Sequence, residues 1–104
     1  MERQKVVYLS GKITGNAGYK KQFEKAEAEL RAAGFIPLNP AKLPPEIENA
    51  AAMEICMAMI NVADAVLMLP SWASSIGAHL ELAYGKYLKK PTVASMDALL
   101  EVLS

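Results

Sequence analysis

Apolar residues follow two rhythms along this chain, and the switches between them mark out its elements. Positions 6–9 (Val, Val, Tyr, Leu) form a short apolar run of β-branched and aromatic character, which predicts a buried first strand ended by Ser10 and Gly11. From Tyr19 the period lengthens. Tyr19, Phe23, Ala26, Leu30 and Ala33 recur at helical spacing, with Lys20, Lys21, Glu24, Lys25, Glu27 and Glu29 opposite, so a helix is expected over 19–33. Gly34 is placed to close it as a positive-φ residue. The alternating charges read as a solvated face joined by helical ion pairs. Phe35, Ile36, Pro37 and Leu38 make a second strand, which Pro37 assigns to a sheet edge because it has no N–H for a central ladder.

Positions 46–63 predict a second helix that is apolar on two sides. Ile47, Ala51, Ile55, Ala58, Met59 and Val62 form one stripe; Ala50, Met53, Met57 and Ile60 form the other. Such a helix needs more than one packing surface, and its methionines suit either core filling or a contact between subunits. A dimer contact is expected here. Positions 65–69 are apolar without alternation, as in a central parallel strand. A third helix over 75–88 is expected to bury Ile76, Leu80, Ala83, Tyr84 and Tyr87; a short strand at 91–94 and a closing helix at 96–103 follow. Alternating strands and helices predict a three-layer α/β, flavodoxin- or Rossmann-like fold. Its parallel sheet has four strands, or five, in the order 2-1-3-4, with helices on both faces.

Composition narrows the class. The 104 residues contain no repeat, linker or low-complexity tract, so one domain is expected over 1–104. The hydrophobic fraction is 53% against 21% charged, an excess that a doubly covered sheet or a homo-oligomer would use. Lys plus Arg and Asp plus Glu number 11 each, and this zero balance speaks against non-specific binding to nucleic acid or membrane surfaces. Cys56 is the single cysteine and fits a reducing cytoplasm. No run approaches the roughly 18 apolar residues of a membrane span. Met1, Glu2, Arg3, Gln4 and Lys5 lead into the first strand without a signal-type apolar region. A cytoplasmic protein that uses neither metal nor cofactor is expected.

Candidate chemistry gathers at the carboxyl ends of the strands. The loop 10–18 is rich in Gly and small polar residues, including Gly11, Ile13 and Gly15. It is either a ligand cradle or an ordinary connection, and it matches neither the Walker pattern nor GxGxxG. Asn39 follows the second strand. Trp72 follows the third, placed either to stack on a base or to cover the core. Asp64, at the opposite end of the third strand, reads as structural. Ser75 can cap the third helix, where free amides and the helix dipole favour an anion. Glu81 lies six residues on, roughly 9 Å along the axis, and Gly77 shares its face. A sugar phosphate fits this spacing, with its phosphate near Ser75, its ring over Gly77 and Glu81 attacking the anomeric carbon. Tyr8 can orient that carboxylate. The rival reading is an exposed Glu81 and a Ser75 that only caps.

The ordered set of Tyr8-Leu9-Ser10-Gly11-Lys12-Ile13-Thr14-Gly15, Leu38-Asn39-Pro40, Ala63-Asp64-Ala65-Val66 and Pro70-x-Trp72-x-x-Ser75-x-Gly77-Ala78-x-x-Glu81-x-x-Tyr84-Gly85 resembles the nucleoside 2-deoxyribosyltransferase superfamily, in particular its small bacterial and phage members of unassigned function. The resemblance implies that Glu81 is a nucleophile oriented by Tyr8, in a two-step displacement through a glycosyl-enzyme ester. Serine at position 75, where the transferases carry aspartate, is the variant of the deoxynucleoside 5′-monophosphate N-glycosidases. It implies a 5′-phosphate substrate, with Gly11, Ile13 and Gly15 lining the loop. Cys56 stands where the superfamily usually has an assisting aspartate. Expected functions are therefore hydrolysis or transfer at the N-glycosidic bond of a 2′-deoxynucleoside 5′-monophosphate, or non-catalytic nucleotide binding on the same fold. The partner implied is a small nucleotide or nucleoside, in a homodimer or higher homo-oligomer.

Overall fold

The computed structural model describes residues 3–103. Strand β1 (Val6–Ser10) pairs on one side with β2 (Ile36–Leu38) and on the other with β3 (Ala65–Met68), beyond which lies β4 (Thr92–Val93). All pairings are parallel and the order is β2-β1-β3-β4, as expected, with four strands among the described residues. Pro37 sits opposite Val7 on the outer strand, where its backbone has only one neighbour to satisfy. The expectation for Met1 and Glu2 lies outside the described residues.

Alternation along the strands sorts the core into two layers. Val7 and Leu9, with Ala65, Leu67 and Leu69, meet Phe23, Ala26 and Leu30 of α1 (Tyr19–Ala32) and Leu99 of α4 (Met96–Leu103). Tyr8, Val66 and Met68 face the other way. They meet Cys56 and Ile60 of α2 (Asn49–Val62) and Ala78 of α3 (Ile76–Tyr87). Each large side chain buried this way contributes about 1.5–3 kcal/mol. At the amino edge, Asp64 accepts both Arg3 guanidinium nitrogens at 2.8 and 2.7 Å and the Val6 N–H at 2.7 Å. The Arg3 hydrogen bonds hold its carboxyl down to about 2.

The first helix ends at Ala32, and Gly34 takes φ +88° just beyond it. The second starts at Asn49, three residues later than the periodicity suggested. Pro45 keeps Pro44 out of helical geometry, the Ile47 N–H closes a separate turn onto the Pro44 carbonyl at 3.2 Å, and Glu48 is extended. No side chain caps this N-terminus. The other end of α2 is gripped by Lys90, whose Nζ donates to the carbonyls of Ile60 (2.8 Å), Asn61 (2.6 Å) and Ala63 (2.6 Å).

The third helix turns a different face inward from the one expected. Ala78, Glu81 and Gly85 are buried, while Ile76 is 83% exposed, Leu80 52% and Tyr87 81%. Ala83 is exposed as well, and Tyr84 is half-buried. Close approach decides the matter: a Cβ on Gly85 would lie 2.9 Å from Thr92 Cγ2 and 3.3 Å from Val66 Cγ2. With small residues inward, α3 lies tight on β3 and β4 and brings Glu81 to the end of β1. Among the described residues no helix is long and apolar enough to cross a membrane.

Candidate active site

The period of two in β1 puts Tyr8 and Ser10 on the side of the sheet that α2 and α3 cover. Ser10 Oγ donates to Glu81 Oε1 at 2.7 Å, and both residues are buried. Cys56 reaches the same spot from α2, so that Tyr8, Cys56 and Glu81 interact electrostatically with one another. The Tyr8 hydroxyl lies against the other two, but no acceptor meets it with hydrogen-bond geometry. A buried hydroxyl left in this state costs about 1–3 kcal/mol, and a ligand or a small shift of Glu81 would recover that energy.

Burial pushes the Glu81 carboxyl above its ordinary value, opposed first by the Ser10 hydrogen bond and then by the polar Tyr8 and Cys56 groups beside it. Burial, reinforced by the Glu81 charge, also raises Tyr8 well above its ordinary value. The Cys56 thiol is pushed up to about 11, again first by burial. At neutral pH the tyrosine and cysteine therefore keep their protons. One desolvated carboxyl is ringed by neutral donors, an arrangement that suits a directed oxygen nucleophile.

The N-terminus of α3 lies in the same layer. Ser75 Oγ accepts the Ala78 N–H at 3.1 Å, which leaves the amides of Ile76 and Gly77 as the first-turn donors without an intrahelical partner. A Cβ on Gly77 would lie 3.3 Å from Met53 Cε and 3.9 Å from Ser75 Oγ. Trp72 packs on the Tyr8 side of the core, its ring 4.9 Å from that of His79. His79 Nε2 is 2.8 Å from the Ala73 carbonyl oxygen.

The two carboxyl-edge loops are tied together. Lys12 N–H donates to Ser71 Oγ at 3.0 Å, and that hydroxyl donates to Gln22 Oε1 at 2.7 Å. A Cβ on Gly11 would crowd Leu69 Cβ at 3.1 Å and Ser71 Oγ at 3.2 Å, so the tight junction needs glycine there. Gly15 has φ +77° at the exposed turn of the same loop. Ile13 packs with the α1 layer. Asn39 accepts the Ala41 N–H at 2.9 Å and donates to Glu27 Oε1 at 3.0 Å, and its neighbours Lys20, Glu24, Lys42 and Leu43 help line a cavity of about 300 Å³. Of the residues singled out from sequence, Tyr8, Cys56 and Glu81 come together, while Ser75, Gly77 and Trp72 line the same layer. The side chains of Ile13 and Asn39 are engaged elsewhere.

Two residues of this cluster carry no candidate role in the sequence pattern. Ser10 closes the apolar run of the first strand, yet it stands two positions after Tyr8 and so shares its face. Met53 lies one helical turn before Cys56, and that spacing could have placed it beside Gly77. Among the described residues no three His, Cys, Asp or Glu side chains gather as a metal site.

Residues 5–94 match DUF4406, a domain of unknown function. The chain belongs to that family. No curated protein matches it. Among solved structures it is similar to a 2-desoxiribosyltransferase from Leishmania mexicana, with a TM-score of 0.70 and 19% identity over 86% of this chain. The chain spans 63% of the length of that structure. At this identity the likeness shows the fold: an α/β architecture shared between a DUF4406 chain and a deoxyribosyltransferase.

Proposed function

We propose that the protein acts on the N-glycosidic bond of a 2′-deoxynucleoside 5′-monophosphate, with Glu81 as the nucleophile. The observation that carries this reading is the buried Ser10–Glu81 hydrogen bond of 2.7 Å, with the unmet Tyr8 hydroxyl beside it. An acid that only decorated a helix would not be desolvated and aimed in this way. The fold shared with the Leishmania 2-desoxiribosyltransferase supports the same reading.

In the proposed reaction a Glu81 carboxylate oxygen bonds to C1′ as the C1′–N bond breaks. The bonding pair leaves with the base nitrogen, which takes a proton from solvent. Water, or a second base, then attacks C1′, the ester C–O bond breaks, and Glu81 recovers its carboxylate. Ser10 holds one carboxylate oxygen and Tyr8 can donate to the other. The phosphate would sit at the amides of Ile76 and Gly77 and the hydroxyl of Ser75, a neutral group that does not repel it. The attacking form is ionised, so base release falls as pH drops through the raised Glu81 pKa.

One observation favours a second reading, nucleotide binding without turnover. The Cys56 thiol, up to about 11, is a neutral donor that cannot act as a carboxylate. Incubating the protein with each deoxynucleoside monophosphate and measuring free base separates the two. Catalysis predicts base release that falls at least about 10³-fold in Glu81→Gln. Binding alone predicts a higher melting temperature with monophosphate and no free base at any enzyme concentration. Neither signal with any monophosphate would sink both.

A further inference from the structure

Two buried hydroxyls stand beside Glu81, and they are in opposite states. Ser10 Oγ donates to Glu81 Oε1 at 2.7 Å, and Ser10 is fully buried. The Tyr8 hydroxyl is as deeply buried and lies against the same carboxylate, yet no acceptor meets it. Both residues belong to β1, two positions apart on one face, so the strand fixes them relative to each other. That strand presents two donors to one carboxylate, and the carboxylate takes Ser10. Among the described residues no Lys, Arg or His forms an ion pair with Glu81. The titratable groups facing it are Tyr8 of β1 and Cys56 of α2. The same layer receives Val66 and Met68 from β3 and Ala78 from α3, all uncharged.

We propose that Ser10 is the positioning residue that aims Glu81, and that the Tyr8 hydroxyl is left to donate to an oxygen of the bound sugar. The assignment rests on Glu81 acting at a glycosidic bond, and it divides the work of β1 differently from the resemblance, which gives the orienting task to Tyr8. A hydroxyl bonded to a desolvated carboxylate favours its ionised form and fixes its direction. Ser10 does this through the direct hydrogen bond; the Cys56 thiol is a weak donor and no substitute. The Tyr8 hydroxyl carries the opposite signal. A buried donor without an acceptor is costly, and the chain has not met it although Glu81 stands beside it. A sugar placed for attack at C1′ brings ring and hydroxyl oxygens next to the attacking carboxylate, and with them an acceptor. Ser10 then contributes to the reactivity of Glu81, and Tyr8 to the hold on the sugar.

Carbon NMR with isotope-labelled glutamate separates the two roles. The carboxyl signal lost in Glu81→Gln identifies Glu81. Its titration midpoint should rise by about one to two pH units in Ser10→Ala, the effect of losing a hydrogen bond to a charged group. It should return towards the native value in Ser10→Thr, and Tyr8→Phe should move it less than Ser10→Ala does. Base release should follow the same division. Ser10→Ala should lower kcat and move the acid limb of the pH profile upward, whereas Tyr8→Phe should raise KM about 10-fold. Without added nucleotide, Tyr8→Phe should melt no lower than the native protein, because the hydroxyl it removes has no partner. Circular dichroism checks folding; if Ser10→Ala does not fold, Ser10→Cys, a weaker donor of similar size, carries the comparison. A Glu81 midpoint unmoved in the folded Ser10 variant overturns the proposal. So does a Tyr8→Phe variant that moves it as far and binds monophosphate as well as the native protein. If the native protein releases no base, the glycosidic reading fails by itself. The carboxyl titration then still decides Ser10, and the rise in melting temperature with monophosphate, native against Tyr8→Phe, decides Tyr8. A native protein that binds no monophosphate overturns the Tyr8 assignment.

Discussion

Helices α1 and α2 are both 14 residues long and cover opposite faces of one sheet, yet they differ outside. The first carries seven charged residues, the second only Glu54. Inward they are alike: Phe23, Ala26 and Leu30 on one side, Cys56 and Ile60 on the other. A helix's inner face reports where the sheet is, whereas its outer face reports what lies beyond. The α1 layer is finished in water. The α2–α3 layer holds Glu81, which is the buried charge among the described residues, and leaves Val62, Ile76, Leu80 and Tyr87 exposed on its outer side.

If the inner faces are equivalent, equal damage should cost the same on either side. Leu30→Ala and Ile60→Ala should each destabilise by about 2–5 kcal/mol in urea titrations, since both side chains are fully buried. A marked inequality would mean that one layer relaxes around its cavity. Tight approach, by contrast, belongs to one side. Gly85→Ala puts a methyl 2.9 Å from Thr92 Cγ2 and should cost about 1–3 kcal/mol. Gly34→Ala instead meets open space and is strained only by its φ of +88°.

Buried charge sharpens the contrast further. Glu81 has a raised folded pKa, so its stabilising contribution is complete below the ordinary value of 4.5 and is lost as pH rises through the folded value. Glu81→Gln cannot ionise. Its melting temperature should exceed that of the native protein by a few degrees at neutral pH, and the two curves should converge below pH 4.5. A variant that melts lower at neutral pH and converges with the native protein in acid would mean that Ser10 and its neighbours hold the charged form more strongly than burial opposes it. The smallest effect belongs outside α1: Lys25→Ala should change stability by no more than about 0.5 kcal/mol.

The sheet order was legible because the evidence for it is local. Pro37 marks an edge, unbroken apolar runs mark the centre, and parallel connections leave few arrangements. The orientation of α3 was not legible. It carries apolar residues all round, so hydrophobicity alone prefers Ile76, Leu80 and Tyr87 over Ala78, Glu81 and Gly85. Contact distance and one hydrogen bond reverse that preference, and both depend on residues far away in sequence. Glu81 was marked by its spacing from Ser75 and by resemblance. Its partner Ser10 became visible only when the strand proved one residue longer than its apolar run.

The grip of Lys90 on three carbonyls makes α2 a beam fixed at one end. Its other end begins after two prolines with no capping side chain, and Met53, against Gly77, sits in that uncapped half. Thermal opening of the helix is therefore graded, with amide protons near Asn49 exchanging well before those near Ile60. Disturbances enter from the end beside Ser75, so the rim of the crevice can loosen while the anchorage of Cys56 against the sheet holds.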